Sequence, residues 1–352
     1  MYITDEKLLR KNNNFDLVRL LASLLVYIGH VYGIRQLGQM EPIHQITFRH
    51  YHANIIGLFI FFTISGFLVC RSLVNSDKLK HYFLNRFLRI WPALAASILV
   101  CIFIVGVIFT SLPVEQFLTH KQTILFFIKN NSLLTSTLWL PGVYDDQVVN
   151  GYIWTIPVEV RLYLFLALLF LVAKLRLKQW LLVIFFVTWI LNIIVPLYIK
   201  QMIFKPYHLP AIGLSFYFLA GACCYLYREK IPYKFLYWLV LFLAWLASLT
   251  WFPYLVKITE LPFFVYSILF VAACWKKIPF VRADYSYGIY LFSYPILKSL
   301  QAVAGGSLSF VEYFIVATLC TFVVAAMSWN FIEKKALSFK FSGRRRSPAP
   351  AH

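Results

Sequence analysis

The chain is 352 residues long, 61% hydrophobic and only 13% charged, with a formal net charge of +19. A soluble domain carries roughly 25% charge, so an ordinary soluble protein is excluded and little of the chain is left for a separate soluble domain. Nor does the positive charge indicate nucleic acid: basic residues gather at every second junction between apolar runs, the pattern of the positive-inside rule, and a cationic face beside anionic lipid accounts for the excess.

Apolar runs of bilayer length, about 20 residues each, predict an all-α polytopic membrane protein with about ten transmembrane helices. In chain order the expected spans are 15–34, 53–72, 91–111, 154–173, 179–199, 209–227, 235–252, 255–275, 285–303 and 309–331. The first run follows Lys7, Arg10 and Lys11, as a signal sequence would, but carries no convincing small-residue cleavage site and is read as a retained span. Clusters such as Lys78, Lys80, Arg86 and Arg89, then Arg228, Lys230 and Lys234, then Lys334, Lys335 and Lys340 put both termini in the cytoplasm. The long loop 112–153 is then external, and its apolar stretch 123–128 is too short to span, which suits a re-entrant or interfacial piece. Residues 1–340 form the membrane domain, and the basic, Pro-rich tail 341–352 is expected to be disordered. The six cysteines lie in or at the ends of apolar runs without metal-ligand spacing, so neither a disulfide nor a metal is expected. No internal repeat of the kind that marks inverted-repeat transporters is visible.

Ionisable groups inside a span are costly and usually face a functional interior. On the first span Asp16, Arg19, Ser23, Tyr27 and His30 recur at steps of three or four, a narrow polar stripe on an otherwise apolar helix. Such a stripe would line an internal polar cavity; the plain alternative is an i, i+3 pair of Asp16 with Arg19 and a capping role for His30. On the fourth span Glu159 and Arg161 are two residues apart and cannot simply neutralise each other. Glu159 and His30 fall at similar depth near the outer side, and a carboxylate beside an imidazole makes a plausible general base. A structural ion pair is the alternative. Arg86 and Arg89 share a helical face just before Pro92, and two guanidiniums near the cytoplasm suit a phosphorylated ligand. Spacing alone also allows simple positive-inside anchoring. Gly66 beside Ser65 permits close backbone approach, which favours helix packing over chemistry. Asp145 and Asp146 read as a solvated loop.

With these residues placed, the chain resembles the acyltransferase-3 family of membrane acyltransferases that modify bacterial surface polysaccharides. Asp16-x-x-Arg19 followed by His30 is similar to the family's first-helix motif. Phe61-Phe62-Thr63-Ile64-Ser65-Gly66-Phe67 resembles its F-F-x-x-S-G-F, and Arg86-x-x-Arg89-x-x-Pro92 its R-x-x-R-x-x-P. Trp154-Thr155-Ile156-Pro157-Val158-Glu159 resembles W-[ST]-x-x-x-E, Ser286-Tyr287-Gly288-Ile289-Tyr290-Leu291 resembles S-Y-x-I-Y-L, and Phe331-Ile332-Glu333 the closing F-I-E. Each is modest alone; together, in order and on the expected spans, they are specific.

The resemblance implies a multi-pass protein of the bacterial inner membrane that moves an acyl group, acetyl by default, from cytoplasmic acyl-CoA to a hydroxyl of a periplasmic glycan such as lipopolysaccharide O-antigen. The acyl-CoA, whose phosphates would meet Arg86 and Arg89, is the donor substrate and no resident cofactor is implied. His30, oriented by Glu159, would activate the acceptor hydroxyl or relay the acyl group. Asp16, Arg19, Tyr27, Ser65, Trp154, Arg161 and Tyr290 would contact substrate. The partners implied are acyl-CoA, a lipid-linked or polymeric glycan and membrane lipid. The chain departs from the family at Ser293, where many members have His, and at Lys335, where Pro is common. It also has no room for the extracellular esterase-like domain some members carry, so the membrane domain itself would finish the transfer. Two other classes compete. A transporter or flippase would share the polar stripe but would not need paired inner arginines, and repeats would be expected. A polyprenyl-dependent glycosyltransferase would show acidic metal-binding or catalytic residues in outer loops, where the only adjacent acidic pair of this chain is Asp145 and Asp146.

Overall fold

The computed structural model describes residues 1–173, 176–198, 208–279 and 283–341. The basic part of the tail therefore lies outside the described residues. Among the described residues the chain is all-helical, with two isolated β-bridges, Thr110 to Val143 and Trp139 to Val148, and no strand.

The long helices are α1 (Phe15–Ile34), α2 (Ala53–Val74), α3 (Leu79–Phe109), α4 (Thr155–Ala173), α5 (Leu177–Tyr198), α6 (His208–Leu226), α7 (Phe235–Thr250), α8 (Pro253–Cys274), α9 (Ser286–Ala304) and α10 (Phe310–Ser338). Among the described residues six of them, α1, α2, α3, α4, α8 and α10, are long and apolar enough to cross a membrane, and 177–191, 211–226 and 235–250 are shorter apolar helices. Every expected span coincides with one of these helices, but α3 begins twelve residues earlier than expected. The polar segment from Leu79 to Ile90 lowered the hydropathy of that region and read as a connector. In the structure it is the first part of one 31-residue helix that carries Pro92 inside it.

Among the described residues three helices contain π-helical segments: Cys101–Gly106 in α3, Phe270–Cys274 in α8 and Trp329–Glu333 in α10. Such widened turns often accompany functional sites. α10 starts at a capping box, in which the Ser309 side chain accepts from the Glu312 N–H and Glu312 reaches back to the Ser309 N–H.

The chain divides into two compact units whose boundaries fall within α1 and α4. The first comprises Met1–Leu25, Gln39–Val74 and Leu162–Arg282. Its centre is the crossing of α2 with α6. A Cβ on Gly66 would lie 1.9 Å from the Phe218 carbonyl oxygen, and one on Gly221 would lie 2.1 Å from that of Thr63, so the backbones touch because neither position has a side chain. Close approach of this kind is what the Ser65-Gly66 pair predicts. Buried Asn14 ties the start of α1 to the end of α8: its Nδ2 donates to the Lys276 carbonyl at 3.1 Å and its Oδ1 accepts from the Ile278 N–H at 2.9 Å. Fully buried Glu41 caps the start of α2 through the Ala53 N–H and pairs with His52 at 2.7 Å.

The second unit comprises Val26–Gly38, Asn75–Arg161 and Ala283–His352. Within the long loop, Lys121–Asn131 forms an 11-residue helix with Thr123, Phe126 and Asn130 buried and Ile124, Phe127 and Ile128 exposed. At 1.5 Å per residue it covers about half a hydrocarbon core. It cannot span, as its length predicts. Asp145 and Asp146 are exposed, and Asp146 accepts from the Gly142 N–H at 2.7 Å.

Candidate active site

His30 lies near the end of α1, in the second unit. Its Nδ1 is 2.8 Å from the carbonyl oxygen of Val26, one helical turn back. A carbonyl only accepts, so Nδ1 carries the proton, and the neutral ring leaves a lone pair on Nε2. The ring is further held edge-on by Tyr152, with centroids 4.6 Å apart, and by Tyr294, at 5.4 Å. One hydrogen bond orienting the imidazole thus comes from its own helix. The physical reason is proximity: the i−4 carbonyl is always within reach of a helical side chain that folds back along the turn.

Tyr152 is the centre of the cluster. It is 2% exposed, stacks on Tyr290 at 5.0 Å and meets Tyr294 edge-on at 5.3 Å. Its hydroxyl accepts from Ser293 at 3.2 Å. The Tyr290 hydroxyl is shared between Thr155 Oγ1 at 2.5 Å and the Tyr152 carbonyl at 3.1 Å. Glu159, half-buried on α4 one turn beyond Thr155, acts electrostatically on Tyr290. The segment before α4 is set by Asn150, whose Nδ2 donates to the Leu291 carbonyl at 3.0 Å and whose Oδ1 accepts from the Tyr152 N–H at 3.1 Å. A Cβ on Gly151 would lie 2.6 Å from the Tyr294 ring, so a glycine is needed for that ring to rest on the backbone.

A second constellation surrounds Arg89 on α3. Its guanidinium is 2.7 Å from Asp284 and 3.9 Å from Glu333, and it lies over the Tyr287 ring at 5.5 Å. Asp284 also accepts from Ser286, Glu333 from Ser328 at 2.9 Å, and Tyr287 donates to the Ile90 carbonyl at 2.9 Å. The R-x-x-R, S-Y-G and F-I-E motifs therefore meet at one buried ionic knot. Arg86, one turn earlier on the same face, has a buried Nε with no hydrogen-bond partner among the described residues.

The other expected residues separate between the units. Tyr27 is buried and bonds Thr318 at 2.9 Å, so it fastens α1 to α10. Trp154 is half-buried just ahead of α4. Arg161 is exposed and donates to the Leu134 carbonyl at 2.6 Å. In the first unit, Asp16 pairs with Arg10 at 2.7 Å, Arg19 is half-buried on α1, and Ser65 bonds the Tyr163 hydroxyl at 3.1 Å. Sequence reasoning missed Tyr152, Tyr294 and Asp284. Two signals were available: Tyr290 and Tyr294 recur at helical spacing, and Asp284 is an acid at the start of a span.

The family model described as an acyltransferase domain matches residues 12–329. The chain belongs to the acyltransferase-3 family. It is 28% identical to an O-acetyl transferase of Shigella phage Sf6, over 94% of this chain and 97% of that protein. It is also 28% identical to Nodulation protein 10 of Rhizobium leguminosarum bv. viciae, over 96% of this chain and 97% of the relative. No solved structure matches. For a member of this family, the His30 cluster and the Arg89 knot are the places where its motifs come together in the second unit.

Proposed function

We propose that this acyltransferase is an inner-membrane O-acetyltransferase that moves acetyl from cytoplasmic acetyl-CoA to a hydroxyl of a periplasmic surface glycan such as lipopolysaccharide O-antigen. The proposal includes about ten membrane spans, each needing some 20 residues, with both termini in the cytoplasm. The observation that carries it is the 2.8 Å contact of His30 Nδ1 with the Val26 carbonyl: an acceptor there calls for a proton on Nδ1, which leaves Nε2 to accept the proton of a substrate. In the proposed reaction Nε2 takes the proton of the acceptor hydroxyl. The hydroxyl oxygen attacks the thioester carbonyl, the C–S bond breaks, and the thiolate leaves and is reprotonated. Glu159 stabilises the imidazolium through the field of the site, and Tyr290 and Trp154 border the acceptor. Arg86 and Arg89 supply positive charge for the donor's phosphates. Because Arg89 is already shared by two carboxylates, Arg86 carries most of that contact. Asp16, Arg19, Tyr27, Ser65 and Arg161 are the further residues proposed to contact donor or acceptor.

The sequence of the Shigella phage O-acetyl transferase, alike over nearly the whole chain, supports the acetyl group and the oxygen acceptor. The test is deletion of the gene, mass spectrometry of surface-glycan acylation, and complementation with wild type, His30→Ala or Arg86→Ala. Loss of one acetyl mass in the deletion, restored by wild type and not by His30→Ala, is expected. Unchanged acylation in the deletion overturns the acceptor, and full complementation by His30→Ala overturns the base.

A further inference from the structure

Pro295 interrupts α9 in a way that builds a wall beside His30. A proline has no N–H, so the Leu291 carbonyl four residues earlier loses its helical donor. Two side chains replace it: Asn150 Nδ2 at 3.0 Å and Ser97 Oγ at 3.2 Å both donate to that oxygen. Asn150 also holds the Tyr152 N–H through its Oδ1 at 3.1 Å, so the carbonyl freed by the proline pins residues 150–152 against α9. Gly151 thereby becomes the seat of the Tyr294 ring. A Cβ there would lie 2.6, 2.8 and 3.1 Å from three of the ring carbons.

His30, Tyr152 and Tyr294 meet pairwise edge to face. The centroids are 4.6 Å apart for His30 and Tyr152, 5.4 Å for His30 and Tyr294, and 5.3 Å for Tyr152 and Tyr294, with interplanar angles of 80°, 72° and 78°. Rings at those separations are in contact. The two tyrosines differ in how they are held. Tyr152 is 2% exposed, stacked on Tyr290 and bonded by Ser293. Tyr294 is half-buried and, among the described residues, its hydroxyl takes part in no hydrogen bond. Packing alone keeps it in place. Of the two rings against the half-buried His30, it is the accessible one.

We propose that Tyr294 sets the length of the transferred acyl group: its ring closes the space beside His30, so that an acetyl group fits and longer acyl chains do not. The proposal rests on the transferase reading above. The tetrahedral carbon formed in that reaction bears an oxyanion, the sugar oxygen, the coenzyme sulfur and the acyl carbon. Sugar and coenzyme are large and polar and must extend out of the site, and the oxyanion needs hydrogen-bond donors. The acyl carbon is the one small apolar substituent, and an aromatic ring is the surface that suits it. The backbone at Gly151 and the Tyr152 ring block the retreat of Tyr294 on two sides. One methylene more or less in an apolar site changes transition-state binding by about 10–200-fold, and against a ring so placed the change is a loss.

The test is release of the coenzyme thiol from acetyl-, propionyl- and butyryl-CoA by the purified full chain in detergent, with and without de-O-acetylated lipopolysaccharide. Wild type is expected to favour acetyl over butyryl by about 100-fold in kcat/KM, tenfold for each of two methylenes. Tyr294→Ala should cut that preference by about tenfold or more. Tyr294→Leu, a milder change that keeps an apolar side chain, should cut it by about threefold or more. Tyr294→Phe should hold it within about twofold, since the hydroxyl has no hydrogen bond to lose among the described residues. A ring with a merely structural role would lower all three donors alike and leave the ratio where it was. An unchanged ratio in both Tyr294→Ala and Tyr294→Leu, a Tyr294→Phe ratio shifted as far as that of Tyr294→Ala, or a wild type that takes butyryl as readily as acetyl would overturn the proposal while leaving the transferase standing. No thiol release by wild type from any of the three donors would instead sink the transferase reading, and this one with it.

Discussion

Asp284→Asn removes the shorter of the two ion pairs around Arg89 and leaves the guanidinium with Glu333 and the Tyr287 ring. At an effective dielectric constant of about 20, a charge pair at 2.7 Å is worth about 6 kcal/mol of Coulomb attraction and one at 3.9 Å about 4. The side chains of Arg89, Asp284 and Glu333 are 16%, 7% and 3% exposed, so solvent screens the loss little. The carboxylate's own desolvation cost is recovered, so the net cost of Asp284→Asn is about 3 kcal/mol. Glu333→Gln breaks the longer contact and keeps an acceptor for Ser328, so it costs less, about 1–2 kcal/mol. Neutralising all three in Arg89→Leu/Asp284→Asn/Glu333→Gln leaves no uncompensated charge and should recover most of the stability. Thermal unfolding of the purified chain reads the ordering, at about 2 °C per kcal/mol for a protein of this size. A Glu333→Gln midpoint at or below that of Asp284→Asn, or a triple variant no more stable than Asp284→Asn, would refute the view that Arg89 is the charge centre of the knot.

Further outcomes follow from the same geometry. His30→Ala should lower acyl transfer by about 10²–10⁴-fold, the range of a lost general base, measured with labelled acetyl-CoA and a glycan acceptor; a fall under threefold would remove His30 from the chemistry. Arg86→Ala should raise the KM for acetyl-CoA more than that for the acceptor, since its buried Nε has no hydrogen-bond partner to lose among the described residues. Gly66→Ala should destabilise the chain by about 1–3 kcal/mol, because the added methyl meets the Phe218 carbonyl and not a flexible side chain; an unchanged unfolding midpoint would mean that the two helices part easily. Ser293→Ala should cost about 1 kcal/mol, the bond it gives Tyr152.

The helices were legible in the sequence because each is an apolar run bounded by charge or by turn residues, and length alone separates them from the short helix at 121–131. The early start of α3 was not, since Lys80, Arg86 and Arg89 lower a hydropathy average without breaking a helix. His30 stood out as an ionisable group on an apolar helix. Its partners did not: whether an imidazole bonds a backbone carbonyl or a carboxylate depends on rotamer and packing, which spacing does not encode. The Arg89 knot was hidden for another reason. Asp284 and Glu333 are far from Arg89 in the chain, and each looks like an ordinary charge at the end of a span until the fold brings the three together.

The contact of α2 with α6 has a consequence for turnover. With the main chain of each helix pressed on the other at Gly66 and Gly221, neither lipid nor side chain can slip between them, so that pair has no sliding play. Any breathing that admits a substrate or releases a product must occur elsewhere, and a covalent tether joining α2 to α6 at this crossing should leave turnover unchanged.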